Sequence, residues 1–245
     1  MPSLRTILVA STAAAATFAP ALVSAADGPA PVVELTATVK PGHLPIPPGT
    51  PLALRLGMTF HSPPGSTFVL QHATLLFGPG ARFNGKLFPS CSVARLKAAK
   101  GSLKACPKGS KVGSGIGVGT AVALGITSSG KMTVFNGPGG RSLTLNFSVV
   151  RPAMINATFS APITRLRGKY AFKFVAPVPP ELQTVLGGDI VVKQLTVTTG
   201  ATLMIDGVKR GYFEAMKCPA NGSIVHGDFT FNQGAKASAE ATAIC

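Results

Sequence analysis

The chain has 245 residues and a formal net charge of +15 at pH 7, with 23 Lys and Arg against 8 Asp and Glu. Only 13% of the residues are charged, about half the usual share for a globular protein, so most of the surface must be built from uncharged polar residues. With no tryptophan and two tyrosines, the chain lacks the flat aromatic platforms used to stack on sugars or bases.

The N-terminus has the features of a secretory signal. Arg5 precedes a run of apolar and small residues from Ile7 to Leu22, and Val23-Ser24-Ala25 places small side chains at the cleavage positions. The run is shorter than the roughly 20 residues that a membrane-spanning helix needs. We therefore expect a signal peptide over residues 1–25, a single β-sandwich domain over residues 26–245, and a secreted or extracytoplasmic location.

The early part of the mature chain is predicted to be antiparallel β-structure. Alternating apolar and polar residues predict strands over residues 33–39 and 52–60, joined by a proline-rich loop over residues 41–51. A turn at residues 62–65 leads into a third predicted strand over residues 67–77. Each strand has one apolar face, so we expect a buried core on one side of the sheet.

The segment that follows is predicted to contain the one helix of the chain. Ser92 is a suitable N-cap, the apolar spacing after it predicts two helical turns with lysines facing solvent, and Gly101 is expected to end the helix. Glycine then occupies every second position from Gly113 to Gly119. One strand face there has no side chains, so either another element packs closely against it or the chain bends.

The rest of the chain is predicted to form hairpins, including a turn at residues 128–130. The predicted strands cover residues 120–126, 132–135, 143–149, 154–160, 170–175, 190–198, 201–205, 223–231 and 236–243. About a dozen strands and one short, disulfide-stapled helix predict an all-β fold, specifically an antiparallel β-sandwich. A β-barrel is the alternative.

Four cysteines in a chain addressed to an oxidising compartment predict two disulfides. The cysteines are Cys91, Cys106, Cys218 and Cys245, and three pairings are open to them. We predict Cys91 with Cys106 and Cys218 with Cys245, because each pair brackets a segment that must turn back on itself. The wide spacing and the scattered histidines argue against zinc, so we expect no metal and no cofactor.

No catalytic constellation stands out in the sequence. Residues 125–131 have the spacing of a nucleotide-binding loop, but Met132 stands where a Ser or Thr is needed. We therefore expect a protein without enzymatic activity. The alternative is an extracytoplasmic carbohydrate-active hydrolase or lyase on a jelly-roll-like fold, which needs two carboxylates in one cleft. The acids available for that role are Glu181, Asp189, Asp206, Glu214 and Asp228.

The two cysteine segments carry the most specific sequence signal. The first contains Phe83-Asn84-Gly85-Lys86, Phe88-Pro89-Ser90-Cys91, Cys106-Pro107 and the run from Ser110 to Gly115; the second extends from Cys218-Pro219 through Phe229-Thr230-Phe231 to Cys245. These segments resemble a group of uncharacterised secreted bacterial proteins of actinobacterial type. The resemblance covers most of the mature chain and implies an exported β-rich protein, without implying any catalytic residue.

The charge is strongly localised, because no Asp or Glu occurs between Glu34 and Glu181. A field of one sign favours polyanionic partners. We expect a binding or structural protein of the cell envelope that attaches to an anionic cell-wall polymer or an anionic membrane surface, with no specific nucleic-acid partner. The predicted anion-binding residues are Arg95, Lys97, Lys100, Lys104, Lys108 and Lys111. The alternative is that these residues only keep the protein soluble.

Overall fold

The fold was obtained as a computed structural model, which describes residues 30–42, 46–151, 153–219 and 221–244. The predicted signal peptide and Cys245 lie outside the described residues, so signal cleavage and the single-domain boundary stay predictions. Within the described ranges, no helix is long and apolar enough to cross a membrane.

The described residues form sixteen strands and one α-helix. The first eight strands are β1 (Val32–Lys40), β2 (Pro51–His61), β3 (Leu70–Phe77), β4 (Ala81–Phe83), β5 (Lys111–Ala121), β6 (Ile126–Asn136), β7 (Ser142–Val149) and β8 (Ile155–Arg165). The others are β9 (Phe172–Pro177), β10 (Thr184–Val185), β11 (Gly188–Thr199), β12 (Thr202–Ile205), β13 (Val208–Gly211), β14 (Phe213–Ala215), β15 (Ser223–Phe231) and β16 (Lys236–Ala243).

Helix α1 (Val93–Ala98) lies between β4 and β5. Short 3-10 turns occupy Gly85–Leu87, Leu103–Ala105, Val122–Leu124, Pro138–Gly140, Pro180–Leu182 and Asn232–Gly234. Strand β1 illustrates the sequence pattern that produces this fold. Val33, Leu35 and Ala37 are buried, whereas the residues between them are exposed. Period-two alternation of this kind buries one face of a strand and leaves the other in water.

One antiparallel sheet of fourteen strands forms both layers of the molecule. Its hydrogen-bonded order is β16-β15-β3-β9-β8-β7-β6-β5-β11-β2-β14-β4, with β1 paired to β2 and β10 paired to β11. Strand β8 passes from one layer to the other, because Ile155–Pro162 pairs with β7 and Ile163–Arg165 pairs with β9. A strand that changes partners in this way forms a corner between layers.

The sheet folds over so that β1 comes to lie beside β16. These two strands are not among the hydrogen-bonded pairs of the described residues, and the sheet is not closed into a barrel. The prediction of an all-β antiparallel sandwich with one short helix is therefore confirmed, and the barrel alternative is wrong. The two layers belong to one continuous sheet.

Two large apolar clusters lie between the layers. The first is built around Phe60, Phe229 and Phe231, with the rings of Phe60 and Phe229 edge to face at 5.5 Å. The second is built around Phe83 and Tyr212, whose ring centroids are 4.9 Å apart. Edge-to-face pairs of this kind add to the stabilisation that area burial gives.

One hairpin turn was predicted at the wrong position in the chain. The sequence predicted a strand over residues 120–126 and a turn at residues 128–130, but the glycine-rich stretch is itself strand β5 and the turn is Val122–Gly125. Gly125 takes the left-handed conformation that closes the turn, with φ at 63°. The serines at 128 and 129 were misleading, because they lie inside β6.

Candidate functional site

A disulfide-stapled segment from Cys91 to Lys111 covers part of the outer surface of the sheet. The structure contains the predicted Cys91–Cys106 disulfide, with the two Cα atoms 5.3 Å apart. Cys218 is also disulfide-bonded, and its predicted partner Cys245 lies outside the described residues.

The local sequence explains why α1 forms inside this segment. The Ser92 hydroxyl accepts a hydrogen bond from the Arg95 backbone N–H at 3.2 Å, as predicted for an N-cap. Leu96 is fully buried against Phe135 and the two cysteines. The helix ends where Lys100 and Gly101 take left-handed conformations, with φ of 51° and 79°. One buried leucine and one disulfide thus fix a helix of fewer than two turns.

A buried asparagine anchors the segment to the sheet. The Asn136 side-chain amide donates to the carbonyl oxygens of Gly85 and Phe88, each at 2.9 Å, and its carbonyl oxygen accepts from the Tyr212 hydroxyl at 3.0 Å. The Cys91 backbone N–H donates to the backbone carbonyl oxygen of Asn136 at 2.8 Å. Burial raises the pKa of the Tyr212 phenol far above its ordinary value, so this hydroxyl stays a donor.

In the sequence, residues 136–140 read Asn-Gly-Pro-Gly-Gly, a pattern that predicts only a turn, and no pattern indicates a role for Tyr212. The signal was weak, because an isolated Asn before a glycine is typical of an exposed turn. Its anchoring role depends on Gly85 and Phe88, which lie about fifty residues earlier in the chain. Sequence spacing alone does not show that contact.

Polar side chains on the outer faces of β6, β7 and β8 lie beneath or beside the stapled segment. Thr133, Thr144, Asn146 and Thr158 are buried although they alternate with the inward-facing apolar residues. The Asn146 amide donates to Asn156 at 2.7 Å and to Thr158 at 2.9 Å. A Cβ on Gly101 would collide with Asn156, so the end of α1 lies directly against β8.

All six predicted anion-binding residues are exposed on this anchored segment. Arg95 and Lys97 extend from α1, and Lys100, Lys104, Lys108 and Lys111 follow along the loop and into the start of β5. None of the six forms an ion pair with a described residue. The structure therefore places them on one continuous stretch whose backbone is fixed and whose charges are free to meet solvent ions.

The acids proposed for the enzymatic alternative are dispersed. Glu214 has a side chain only 1% exposed and lies between two arginines: Arg82 donates to it, and Arg210 Nε lies 3.0 Å from its Oε1. Burial acts to raise the pKa of Glu214, but hydrogen bonds from Arg82, Asn84 and the Gly211 backbone outweigh it and lower the pKa. This glutamate is an ionised structural partner.

The other four acids lie on other elements of the fold and share none of the hydrogen-bond or ion-pair partners of Glu214. Glu181 and Asp206 are exposed at turns, and Asp189 is half-buried in β11. Asp228 contacts His226 at 3.0 Å on the outer surface of β15. In the described part of the chain, no three His, Cys, Asp or Glu side chains are placed to hold a metal ion.

The space between the two layers contains a cavity of about 280 Å³. Residues from both layers line it, and none of the five candidate acids is among them. Of the described residues that line it, only Ser128, Thr199 and Ser223 carry a polar hydroxyl side chain. The sequence predicted an apolar core at this place and gave no sign that the core is incompletely filled.

Comparison with models of known protein families and with curated proteins finds no match for this chain. The six cations, the dispersed acids and the apolar cavity are therefore interpreted from their own geometry.

Proposed function

We propose that this protein is a non-enzymatic binding protein of the cell envelope that attaches to an anionic polymer through the stapled segment. The observation that carries the proposal is the arrangement of the cations: six exposed basic side chains on one disulfide-anchored stretch, none paired with a described acid. The secreted location belongs to the proposal, and the predicted signal peptide supports it.

The anchoring of the backbone favours binding over a purely solubilising role. When a flexible basic loop binds, ordering its backbone costs about 1–2 kcal/mol for each residue fixed, in addition to the cost of ordering its side chains. Here the disulfide, the buried Leu96 and the Asn136 hydrogen bonds have already fixed the backbone. The anionic partner then has to order only the lysine and arginine side chains.

The proposal is tested by retention on an anionic matrix. We expect the protein to bind phosphocellulose at low salt, and we expect a variant with Ser at all six positions to elute at a clearly lower salt concentration. The matched control changes six other exposed cations to Ser, which gives the same change in formal charge. These control positions are Lys40, Arg55, Arg165, Arg167, Lys193 and Lys236.

If the two variants elute together, net charge alone accounts for retention and the site assignment fails. Binding to vesicles that contain phosphatidylglycerol, compared with binding to soluble polyphosphate, separates a membrane surface from a polymer as the partner. The stapled segment is assigned to the polymer if the variant with Ser at all six positions loses more affinity for polyphosphate than for the vesicles.

A further inference from the structure

The lining of the interior cavity extends along the strands. Along β6 its lining extends from Ile126 to Val134, and along β7 from Leu143 to Val149. Eight residue steps on β6 correspond to about 26 Å at roughly 3.3 Å per residue. An apolar cavity of about 150 Å³ takes up benzene, and this one has about 280 Å³ drawn out along the strands. Its volume and the length of its lining accommodate a chain of methylene groups.

Large apolar side chains face the cavity without being fully covered. Phe147, Phe159, Phe174 and Leu195 line it, and each is half-buried although it points between the two layers. In a filled protein core such residues lose nearly all of their accessible surface. The exposed apolar area inside the sheet is therefore available to a ligand.

Small residues create the space. Ala73 and Ala176 are register partners on β3 and β9, and both line the cavity. Gly117 and Gly130 also line the cavity, but the ring of Phe147 packs over both of them. The glycine ladder therefore allows close packing, and the space comes from the two alanines.

One end of the cavity is surrounded by exposed apolar turns. Ile126 both lines the cavity and is 42% exposed, so the interior reaches the surface there. Val150 and Met154, exposed by 71% and 85%, lie in the turn between the lining residues of β7 and β8. Leu186, 75% exposed, lies in the turn before β11. A Cβ on the nearby Gly188 would touch Ala123 of the β5–β6 turn.

We propose that this cavity binds the unbranched acyl chain of a single-chain amphiphile, which enters between these turns. Three observations favour a chain of this kind: the lining extends along the strands, it is almost free of polar side chains, and it opens through an apolar rim. A head group at the mouth would stay in water, because the described lining offers only three hydroxyl side chains and no charged group to hold it inside. This site is separate from the stapled segment and does not depend on the polymer proposal.

The proposal is tested by calorimetric titration with saturated fatty acids of increasing length, kept below their micelle concentrations. Burying one methylene contributes about 0.8 kcal/mol, so we expect the affinity to rise about fourfold for each added methylene from hexanoate until the chain fills the cavity. Equal binding of hexanoate and dodecanoate would reflect attraction to the positive surface alone and would overturn the proposal.

The site is tested by filling it. In the variant Ala73→Leu/Ala176→Leu, an isobutyl group replaces each methyl group inside the cavity, and we expect at least a tenfold loss of dodecanoate affinity. The matched control is Thr74→Leu/Val175→Leu, at register partners on the opposite face of the same two strands. Unchanged dodecanoate affinity in a folded cavity variant would overturn the proposal.

Two further measurements complete the test. Methyl NMR spectra of the wild-type protein do not depend on any variant folding: we expect dodecanoate to shift Leu145 and Leu195, and shifts confined to the exposed Ile116 would overturn the site. Titration with dodecanoyl-lysophosphatidylcholine separates a free fatty acid from a chain carried on a lipid. Binding of either supports an acyl-chain site and identifies the source, and binding of neither overturns it.

Discussion

At the scale of single residues, the molecule depends on a few buried polar side chains. Asn136 and Glu214 are both almost inaccessible to water, and each has several hydrogen-bond partners, at least one of which is distant in sequence. Buried polar groups cost free energy unless they are hydrogen-bonded, and their removal leaves the partners unsatisfied. Replacing either residue is therefore expected to cost more than replacing any single exposed cation.

For Asn136→Ala we expect the free energy of unfolding to fall by about 3 kcal/mol, because the Phe88 carbonyl oxygen loses its donor inside the protein and the Gly85 carbonyl oxygen keeps only the bond of 3.2 Å from the Phe88 backbone N–H. Tyr212→Phe removes only one hydroxyl from the same network and is expected to cost about 1 kcal/mol. Urea unfolding of both variants measures the difference. Equal costs would contradict the anchoring role of Asn136.

For Glu214→Gln we expect a loss of about 2 kcal/mol at pH 7, since the variant keeps the shape but loses charged hydrogen bonds. The folded pKa of Glu214 is lowered from the ordinary value of 4.5. The stabilisation is therefore complete above that value and is lost as the pH falls through the folded pKa.

Urea unfolding at pH 7 and at pH 3 checks this pH dependence. We expect the gap between wild type and Glu214→Gln to shrink at the acid pH. Glu240→Gln is the control, because Glu240 is exposed and contacts Lys169 at 3.7 Å, and it is expected to cost less than about 1 kcal/mol. A gap for Glu214→Gln that is the same at both pH values would contradict the account.

At the scale of elements, the sequence predicted what depends on local pattern. The alternation in β1 and β2, the N-cap at Ser92 and the Cys91–Cys106 pairing are confirmed because each follows from neighbouring residues. The β5–β6 turn was misplaced because Ser128-Ser129-Gly130 has the composition of a turn, whereas the expectation that another element packs closely against the glycine-rich face is confirmed. In the structure, a Cβ on Gly115 would lie 2.4 Å from the Thr196 carbonyl oxygen, so the glycines let β5 and β11 approach closely.

Removing the staple with Cys91→Ser/Cys106→Ser is expected to lower the free energy of unfolding by about 3 kcal/mol, the loop-entropy estimate for a closure of this length. It also frees the backbone of α1. We therefore expect trypsin to cleave after Arg95 and Lys97 much faster than in the disulfide form.

Mass spectrometry of the fragments checks the cleavage prediction. Cleavage after Arg167, in the turn between β8 and β9, is the internal control and is expected to change little. Equal protection of Arg95 in both proteins would show that Leu96 and Asn136 hold the segment without the disulfide.

At the scale of the whole molecule, the sequence predicted the fold class but not the interior cavity, and the difference has a physical reason. The fold class follows from many short strands with one apolar face, and that pattern is visible in any stretch of the chain. The cavity depends on how the inner faces of two layers meet, and Ala73, Phe159 and Leu195 come to line the same space only after the sheet has folded over. The burial of Glu214 is likewise set by Arg82, which lies 132 residues away in the chain.

The molecule thus separates two kinds of surface. The outer face of β6 to β8 carries the anchored cations, and the space between the layers is apolar and partly empty. Because the two regions lie on opposite faces of the same strands, a change in one is expected to leave the other intact. The retention variants and the cavity variants are therefore independent tests.

The most direct test of the polymer proposal is the salt dependence of binding to long-chain inorganic polyphosphate. If six cations contact phosphates, counterion release sets the slope of log K against log salt. Each contact with a single-stranded polyanion contributes about −0.7 to that slope, so six contacts give about −4. We predict that the slope approaches zero when the six residues of the stapled segment are Ser and stays near the wild-type value in the matched control. Equal slopes for the two variants would contradict the account.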